Sequence, residues 1–450
     1  MSQFSVIEIC AGAGGQALGL DLAGFDHALA VELDPTAAST LTLNRPHWDV
    51  RVGDVADPRV FDPSHFTPER RRAQGLPPID LLAGGVPCPP FSIAGKQLGA
   101  NDERDLFAWA IEQVGVIQPR ALLLENVRGL SMPRFAGYRQ HVLDRLDQLG
   151  YHADWRLINA SDFGVPQLRP RFVLVAMRPE DFRFYRWPDP RPCDITVGDA
   201  LRAIMGRRKW EGADAWAAKA AGIGPTIVGG SKKHGGADLG PTRAKRAWAE
   251  MGVDATGVHD TPPPYDKRPM TAVGPKLTVE MVARLQGWVF IDHTDPGHRE
   301  LVESEALDDP AVDLEYAWMF QGRKTARYRQ IGNAFPPPVA RAIGTAIARA
   351  LRHHGDPVDR NVDRAVDPIY KALIGATTYL SAQQIASRAG LNISDPDIDR
   401  RISLLSKDFE ILRQERSSEL VYKLGEFRAF TGQVDHQRHE FYRVARSRIS

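Results

Sequence analysis

The sequence predicts an α/β protein built on a doubly wound sheet of parallel strands. Three observations carry that expectation. Short apolar runs alternate with amphipathic stretches through the first part of the chain. A glycine-rich turn, "AGAGG", joins the first apolar run to the first amphipathic one. From about Pro179 the rhythm breaks into Gly-, Pro-, Arg- and Lys-rich sequence, which marks a second unit.

Taken in order, "FSVIEIC", "HALAVEL", "IDLLAGG", "ALLLENV" and "RFVLVAM" read as buried strands. "GGQALGLDLAGF", "DPTAASTLTLNRP", "RDLFAWAIEQVGVIQP" and "YRQHVLDRLDQLG" read as the helices between them. These define a first domain over residues 1–178. Residues 179–322 read as a separate, loop-rich module, with a helix near 277–288, "LTVEMVARLQGW", as its hinge. A helix from about Pro338, "VARAIGTAIARALRHH", lies in a stretch, 323–355, that completes the first domain. Residues 356–450 form a C-terminal extension. There "SAQQIASRAGLN" and "DIDRRISLLSKDF" read as two short helices and "EILRQERSSELVYKL" as a hairpin, in outline a winged-helix unit.

Composition narrows the function classes. The chain has 450 residues, 43% hydrophobic and 25% charged, with net charge +1. No overall field marks a polyanionic partner, so any basic surface must be local. The three cysteines, Cys10, Cys88 and Cys193, show no paired spacing, which argues for a reducing compartment and against a zinc site. No metal is expected. No apolar run approaches the roughly 18 residues that span a bilayer. The opening "MSQFSVIEIC" lacks a charged segment ahead of a long apolar one. A cytoplasmic protein that does not engage a membrane is expected.

The candidate site residues lie just past strand ends. Gly12 and Gly14 fit a loose dinucleotide turn, and Glu32 ends the next strand, where an acid can take ribose hydroxyls. The turn alone allows NAD, FAD or S-adenosylmethionine, or no ligand. Asp54 after the third run could accept from an adenine amino group or simply cap a turn. Cys88 sits in "GGVPCPPFSIAGK", held between prolines. A lone cysteine is ordinarily an inert buried residue. This one has polar, glycine-rich flanks that suit an exposed thiolate nucleophile on a loop able to close. Glu125 and Asn126 follow four apolar residues, where partial burial raises a carboxyl pKa and suits it to donate a proton. Gln167, Arg169 and Arg171 alternate along "QLRPR" and so share one face, as an anion clamp or a solvated edge. "RQIGNAFPPPVARAIG" offers a Gly-Asn turn before a proline-started helix.

In this order, "EICAGAGG", "VELDP", "GDV", "GGVPCPPFS", "ENV", "QLRPR", "LT-E---RLQGW" and "QIGNAFPPPVA" resemble the DNA (cytosine-5)-methyltransferase family. The resemblance runs from residue 4 to about 350 apart from the variable module. It implies a Rossmann-like, S-adenosylmethionine-dependent catalytic domain and a target-recognition domain. It implies Cys88 as the nucleophile at cytosine C6 and Glu125 as the proton donor at N3. Asn126 would hold Glu125 and the Pro87 region. Arg171, with Arg169, would neutralise charge near O2 and brace the site. For the cofactor it implies Gly12 and Gly14 at the methionine half, Glu32 at the ribose, Asp54 at the adenine and Asn333 at the methionyl end. The target base would be flipped out of the duplex. Lys232, Lys233, His234, Arg243, Lys245 and Arg246 would meet double-stranded DNA. The setting implied is a bacterial modification enzyme, a monomer, acting beside a restriction endonuclease. Methylation of tRNA and DNA binding without catalysis are the alternatives. Three departures stand out. Glu8-Ile9-Cys10 replaces the usual Asp-Leu-Phe, Pro89 replaces a glutamine, and Phe335 replaces a smaller aliphatic.

Overall fold

Apolar runs bounded by glycine, asparagine or aspartate make the strands, and proline or aspartate starts some of the helices between them. The computed structural model describes residues 4–87, 106–191, 194–229, 236–266, 269–309, 312–358, 367–392, 395–406, 408–416 and 419–427. The first part runs β1 (Phe4–Ile9), α1 (Gly15–Leu22), β2 (Phe25–Glu32), α2 (Pro35–Asn44), β3 (Val50–Val52), α3 (Pro68–Ala73), β4 (Leu81–Gly84), α4 (Leu106–Ile117), β5 (Ala121–Val127), α5 (Ala136–Gln148), β6 (His152–Asn159), β7 (Pro170–Met177) and α6 (Pro179–Phe182). "VELDP" shows the local logic. Asp34 accepts from Thr36 N at 2.7 Å and Pro35 occupies the first turn of α2.

The strands form one seven-stranded sheet in the order β3-β2-β1-β4-β5-β7-β6. β1 to β3 step outward one way, and β4 begins again on the other side of β1. The crevice at that switch, beyond the strands' carboxyl ends, is where ligands bind in such sheets. The expectation of parallel strands holds for β1 to β5. It fails at β7, which runs antiparallel to both β5 and β6. The ten residues between β6 and β7 contain only a single 3-10 turn, Ala160–Asp162, too little for a crossover. Past residue 178 the chain stays packed on the sheet. Phe182, Tyr185 and Trp187 are buried in one cluster with Val173, Val175 and Met177 of β7.

The next stretch holds α7 (Val197–Gly206), α8 (Ala213–Lys219), α9 (Thr242–Glu250), α10 (Val279–Leu285), β8 (Val289–Ile291), α11 (His298–Asp308) and β9 (Ala317–Met319). It is loop-rich as expected, but it is not separate. Trp288, Trp318 and Phe320 share one core with Ala11, Ala13 and Leu41 of the first part. The Trp318 indole N–H donates to Ala13 O at 2.9 Å. Asn44 bonds both backbone groups of Met319, at 2.7 and 2.9 Å.

α12 (Lys324–Asn333) and α13 (Pro337–Leu351) close the fold. The Gly-Asn turn expected before α13 is instead the last turn of α12, and the break falls at Ala334. α13 lies on α1 through glycines. A Cβ at Gly19 would stand 2.5 Å from both Ala340 Cβ and Pro337 O, and one at Gly344 would stand 2.9 Å from Ala23 Cβ.

The tail contains α14 (Pro368–Ile374), β10 (Leu380–Ser381), α15 (Ala382–Arg388), α16 (Asp395–Leu405), β11 (Phe409–Arg416) and β12 (Glu419–Phe427). Its strands pair antiparallel in the order β10-β12-β11. The two helices and the hairpin are those expected, with α14 and β10 added. The tail docks on α5. The His141 ring stacks on Phe427 with centroids 3.8 Å apart and meets Phe409 at 5.6 Å. Among the described residues no helix is long and apolar enough to cross a membrane, and no His, Cys, Asp and Glu group suits a metal.

Two outcomes follow from this packing. Gly19→Ala should lower stability by about 2 kcal/mol, read by urea unfolding, because neither Ala340 nor the Pro337 carbonyl can retreat. Burial against the tail pushes His141 down to about 4, with Asp144 and Glu112 opposing. The unfolded chain takes up that proton near the ordinary histidine pKa, so stability is full above about pH 6.5 and falls as pH drops towards 4. The loss should reach at most about 3 kcal/mol. It should appear as easier proteolysis of the tail, and His141→Phe should flatten the dependence.

Candidate active site

The carboxyl ends of β1, β4 and β5 lie side by side, and each feeds a loop that carries candidate residues. Gly84, the last residue of β4, sits against Ile9 of β1, where a Cβ would come within 2.7 Å of the Ile9 side chain. Gly85 lies between the other two loops. A Cβ there would stand 3.4 Å from Glu125 Oε2 and 3.9 Å from the Cys10 carbonyl oxygen. Cys88, three residues further on, lies outside the described residues, as do Pro89, Lys232, Lys233 and His234.

Glu125 sits near the end of β5, and the antiparallel register places Arg171 opposite Val127. From there Arg171 Nε donates to Glu125 Oε1 at 2.6 Å, with the two side chains 12% and 11% exposed. Burial raises the Glu125 pKa, and the Arg171 and Arg169 charges pull it back. The net effect leaves the Glu125 pKa above the ordinary carboxylate value. Asn126 Nδ2 donates to Val86 O at 3.1 Å, and its Oδ1 accepts from Val127 N at 2.8 Å. The amide therefore ties the end of β5 to the backbone two residues before Cys88.

The expected clamp divides. Arg169 is 1% exposed and turns away from the acid. It donates to three carbonyls, Ile227 O at 2.5 Å and Gly332 O and Ala334 O at 2.8 Å. It braces three segments and makes no hydrogen bond to Glu125. Gln167, fully buried, accepts from Ile227 N at 2.8 Å and donates to Leu285 O at 2.9 Å. Of the trio only Arg171 reaches the carboxylate.

Across the switch point, Glu32 Oε2 accepts from Gly12 N at 2.7 Å and Oε1 from Asp34 N at 2.8 Å. Burial raises the Glu32 pKa against those bonds. Gly12 has φ +57° and a Cβ there would meet nothing within 4 Å, so its backbone faces open space. Gly14 differs. Its φ is +97°, and a Cβ would stand 2.8 Å from Leu41 and Trp318, so this glycine admits the tryptophan. Asp54 Oδ1 accepts from Ala56 N at 2.9 Å, the turn-capping use. Asn333 is exposed and packs on Gly229. Leu33, just past the end of β2, and Val52, the last residue of its neighbour β3, are exposed at 47% and 50% as apolar edges beside Glu32 and Asp54. Sequence reasoning missed both; their signal is an apolar residue at a strand's carboxyl end with no core to join.

The departures find their places. Glu8 is fully buried and meets His27 Nε2 at 2.7 Å, and His27 stacks on Trp48 at 3.9 Å. That pair is internal to the sheet. Cys10 takes a left-handed backbone, φ 51°, at the margin of the core. Phe335 is buried beside Leu20, Val339 and Ile343. In the second module, Arg243 and Arg246 are exposed on α9, and Lys245 pairs with Asp238 at 2.8 Å.

The family model for C-5 cytosine-specific DNA methylases matches residues 4–349, which include every strand of the large sheet. The chain belongs to that family. It is a DNA (cytosine-5)-methyltransferase. It is 56% identical to the Type II methyltransferase M.NaeI of Lentzea aerocolonigenes over the whole of both chains. It is 45% identical to the Type II methyltransferase M.NgoMIV of Neisseria gonorrhoeae, over 78% of this chain and 99% of that one. It is 32% identical to M.Eco47II of Escherichia coli over 77% of this chain and 79% of that one. The matched stretch also takes in the second module, α12 and most of α13, and the tail lies beyond it.

Arg169→Met should strand three buried carbonyls and cost this methyltransferase about 3 kcal/mol in urea unfolding. Amide exchange should quicken first around Ile227.

Proposed function

We propose that this methyltransferase moves a methyl group from S-adenosylmethionine to C5 of a cytosine flipped out of duplex DNA, through a covalent bond to Cys88. The observation that carries the reading is the buried Glu125–Arg171 pair, one glycine away from the Cys10 loop. An acid and a cation at that spot serve the N3 and O2 edge of a cytosine. The loop between them and the cofactor turn is the one that holds Cys88.

The residues present fit S-adenosylmethionine. The open backbone at Gly12 suits the methionine half, Glu32 the ribose, Asp54 the adenine amino group and Asn333 the methionyl end. Leu33 and Val52 offer apolar contact to the adenine in place of the missing phenylalanine. When bound, the cofactor supplies an electrophilic sulfonium methyl. The Cys88 thiolate adds to C6 while Glu125 donates a proton, or a strong hydrogen bond, to N3. The electron pair then resides on the C5 side of the ring, where C5 would take the methyl while the cofactor's sulfur keeps the electron pair of the broken bond and leaves as a neutral thioether. Arg171 offsets charge at O2 and keeps Glu125 aimed. A base then removes the C5 proton, and the bond to Cys88 breaks with return of the thiolate. Asn126, by holding Val86, fixes where the cysteine loop leaves the sheet.

The second module serves as the target-recognition domain, with the exposed Arg243 and Arg246 of α9 available to phosphates. The Type II names of the relatives support a cytoplasmic modification enzyme that protects host DNA beside a restriction endonuclease. A monomer suffices for all of these contacts. The size of the variable module favours DNA over tRNA, and the intact acid and arginine favour catalysis over binding alone.

Incubation with methyl-labelled S-adenosylmethionine and duplex DNA containing 5-fluorocytosine should trap a covalent complex that Cys88→Ala abolishes. Glu125→Gln should still bind DNA but lose about 10²- to 10⁴-fold in kcat. Label appearing in tRNA and not in DNA would overturn the substrate, and active enzyme that traps nothing would overturn the mechanism.

A further inference from the structure

The Glu125–Arg171 pair has a support that the chemistry above does not use. Arg139 lies on α5 and is only 9% exposed. Its Nη1 donates to Leu130 O at 2.7 Å and Met132 O at 2.9 Å. Those carbonyls belong to the turn that directly follows β5, the strand that ends on Glu125, Asn126 and Val127. The same guanidinium stands 5.7 Å from the centre of the Phe172 ring. Phe172 is the register partner of Asn126 and the chain neighbour of Arg171. One side chain therefore holds both strand ends that carry the pair.

α5 is in turn held by the tail. A Cβ on Gly137 would collide with Leu405, so α5 and the end of α16 touch backbone to side chain. Tyr138 lies 6.1 Å from Phe427, beside the His141 stack. Asp144 hydrogen-bonds Tyr370 of α14. Asp367, which caps α14, is the carboxylate whose charge acts on Arg139. The tail lies outside the matched family region, so its presence on this helix needs a separate reason.

A tail of this topology could instead read DNA. Its charges argue against that. α16, the helix that would enter the groove, carries the exposed Asp397 and Asp399 in its first half, which phosphates repel. Its other end is the part seated on α5.

We propose that Arg139 is a positioning residue for the Glu125–Arg171 pair, and that the tail, residues 367–427, is an intramolecular brace that keeps α5 and Arg139 in place. The proposal rests on the catalytic role given to Glu125.

The test is steady-state methylation of duplex DNA by full-length Arg139→Met, Arg139→Lys, Phe427→Ala and the Arg139→Met/Phe427→Ala pair. Rates are taken per active site, counted by trapping on 5-fluorocytosine DNA. Arg139→Met should lower kcat about 10- to 100-fold, with KM for DNA and for S-adenosylmethionine within about twofold, since a small misplacement acts on the chemical step. Arg139→Lys should recover part of that loss. Phe427→Ala should lower kcat about three- to tenfold and add little to Arg139→Met, as expected of two residues on one line of support. Full kcat per trapped site in folded Arg139→Met would overturn the proposal, and so would losses that simply multiply. If Arg139→Met does not fold, Arg139→Lys and Phe427→Ala decide: both at wild-type kcat would overturn it equally. An unaltered chain that neither methylates nor traps DNA would instead overturn the function proposed above.

Discussion

A guanidinium buried where water cannot reach must find its partners in the protein, and Arg169 finds three carbonyls on two distant segments. Ile227 belongs to the second module. Gly332 and Ala334 belong to the block that launches α13. Arg169 itself stands at the mouth of β7, two residues before the arginine that meets Glu125. Removing the cation from this point leaves several acceptors unsatisfied at once. The sheet, the module and the closing helices are therefore fixed to one another next to the acid, and not by a flexible tether. Gln167 repeats the arrangement one step earlier, with Ile227 N and Leu285 O.

That join also sets the character of the cleft. Trp318 reaches from the second module to Ala13, and the glycine at position 14 leaves room for that ring. The glycine turn after β1 is thus partly built by the second module. Asn126 and Gly85 link the turn, the cysteine loop and the acid within a few ångströms on the other side. A change of backbone in any of these loops is felt by its neighbours through hydrogen bonds with little slack.

Much of this was legible in the sequence, for identifiable reasons. Buried strands show as apolar runs, so β1, β2, β4, β5 and β7 could be read directly. β6 could not, because an edge strand with only two of its eight residues buried, "HADWRLIN", has no such run. The direction of β7 was hidden because an apolar run reads alike either way. Glu125 and Arg171 stood out as charges at the ends of apolar runs. The different fates of Arg169 and Arg171 did not, since alternation along a strand assigns both to one face, whereas residues 165–169 precede β7 and pair with the second module. The shared core escaped notice because no local pattern says that Trp318 packs beside Ala13. The tail's helices and hairpin were visible, but its seat on α5 depends on Gly137, whose missing side chain carries no message until Leu405 is known.

The packing of α13 on α1 has a consequence for synthesis. Phe4, Val6, Leu20 and Phe25 are buried in part by Val339, Ile343 and Ile347, more than three hundred residues later. On a ribosome adding roughly 5–20 residues per second, that apolar face has no partner for on the order of half a minute. The nascent sheet must wait with one side uncovered, and the glycines that let the last helix settle so closely also let it arrive late without rearranging what is already made.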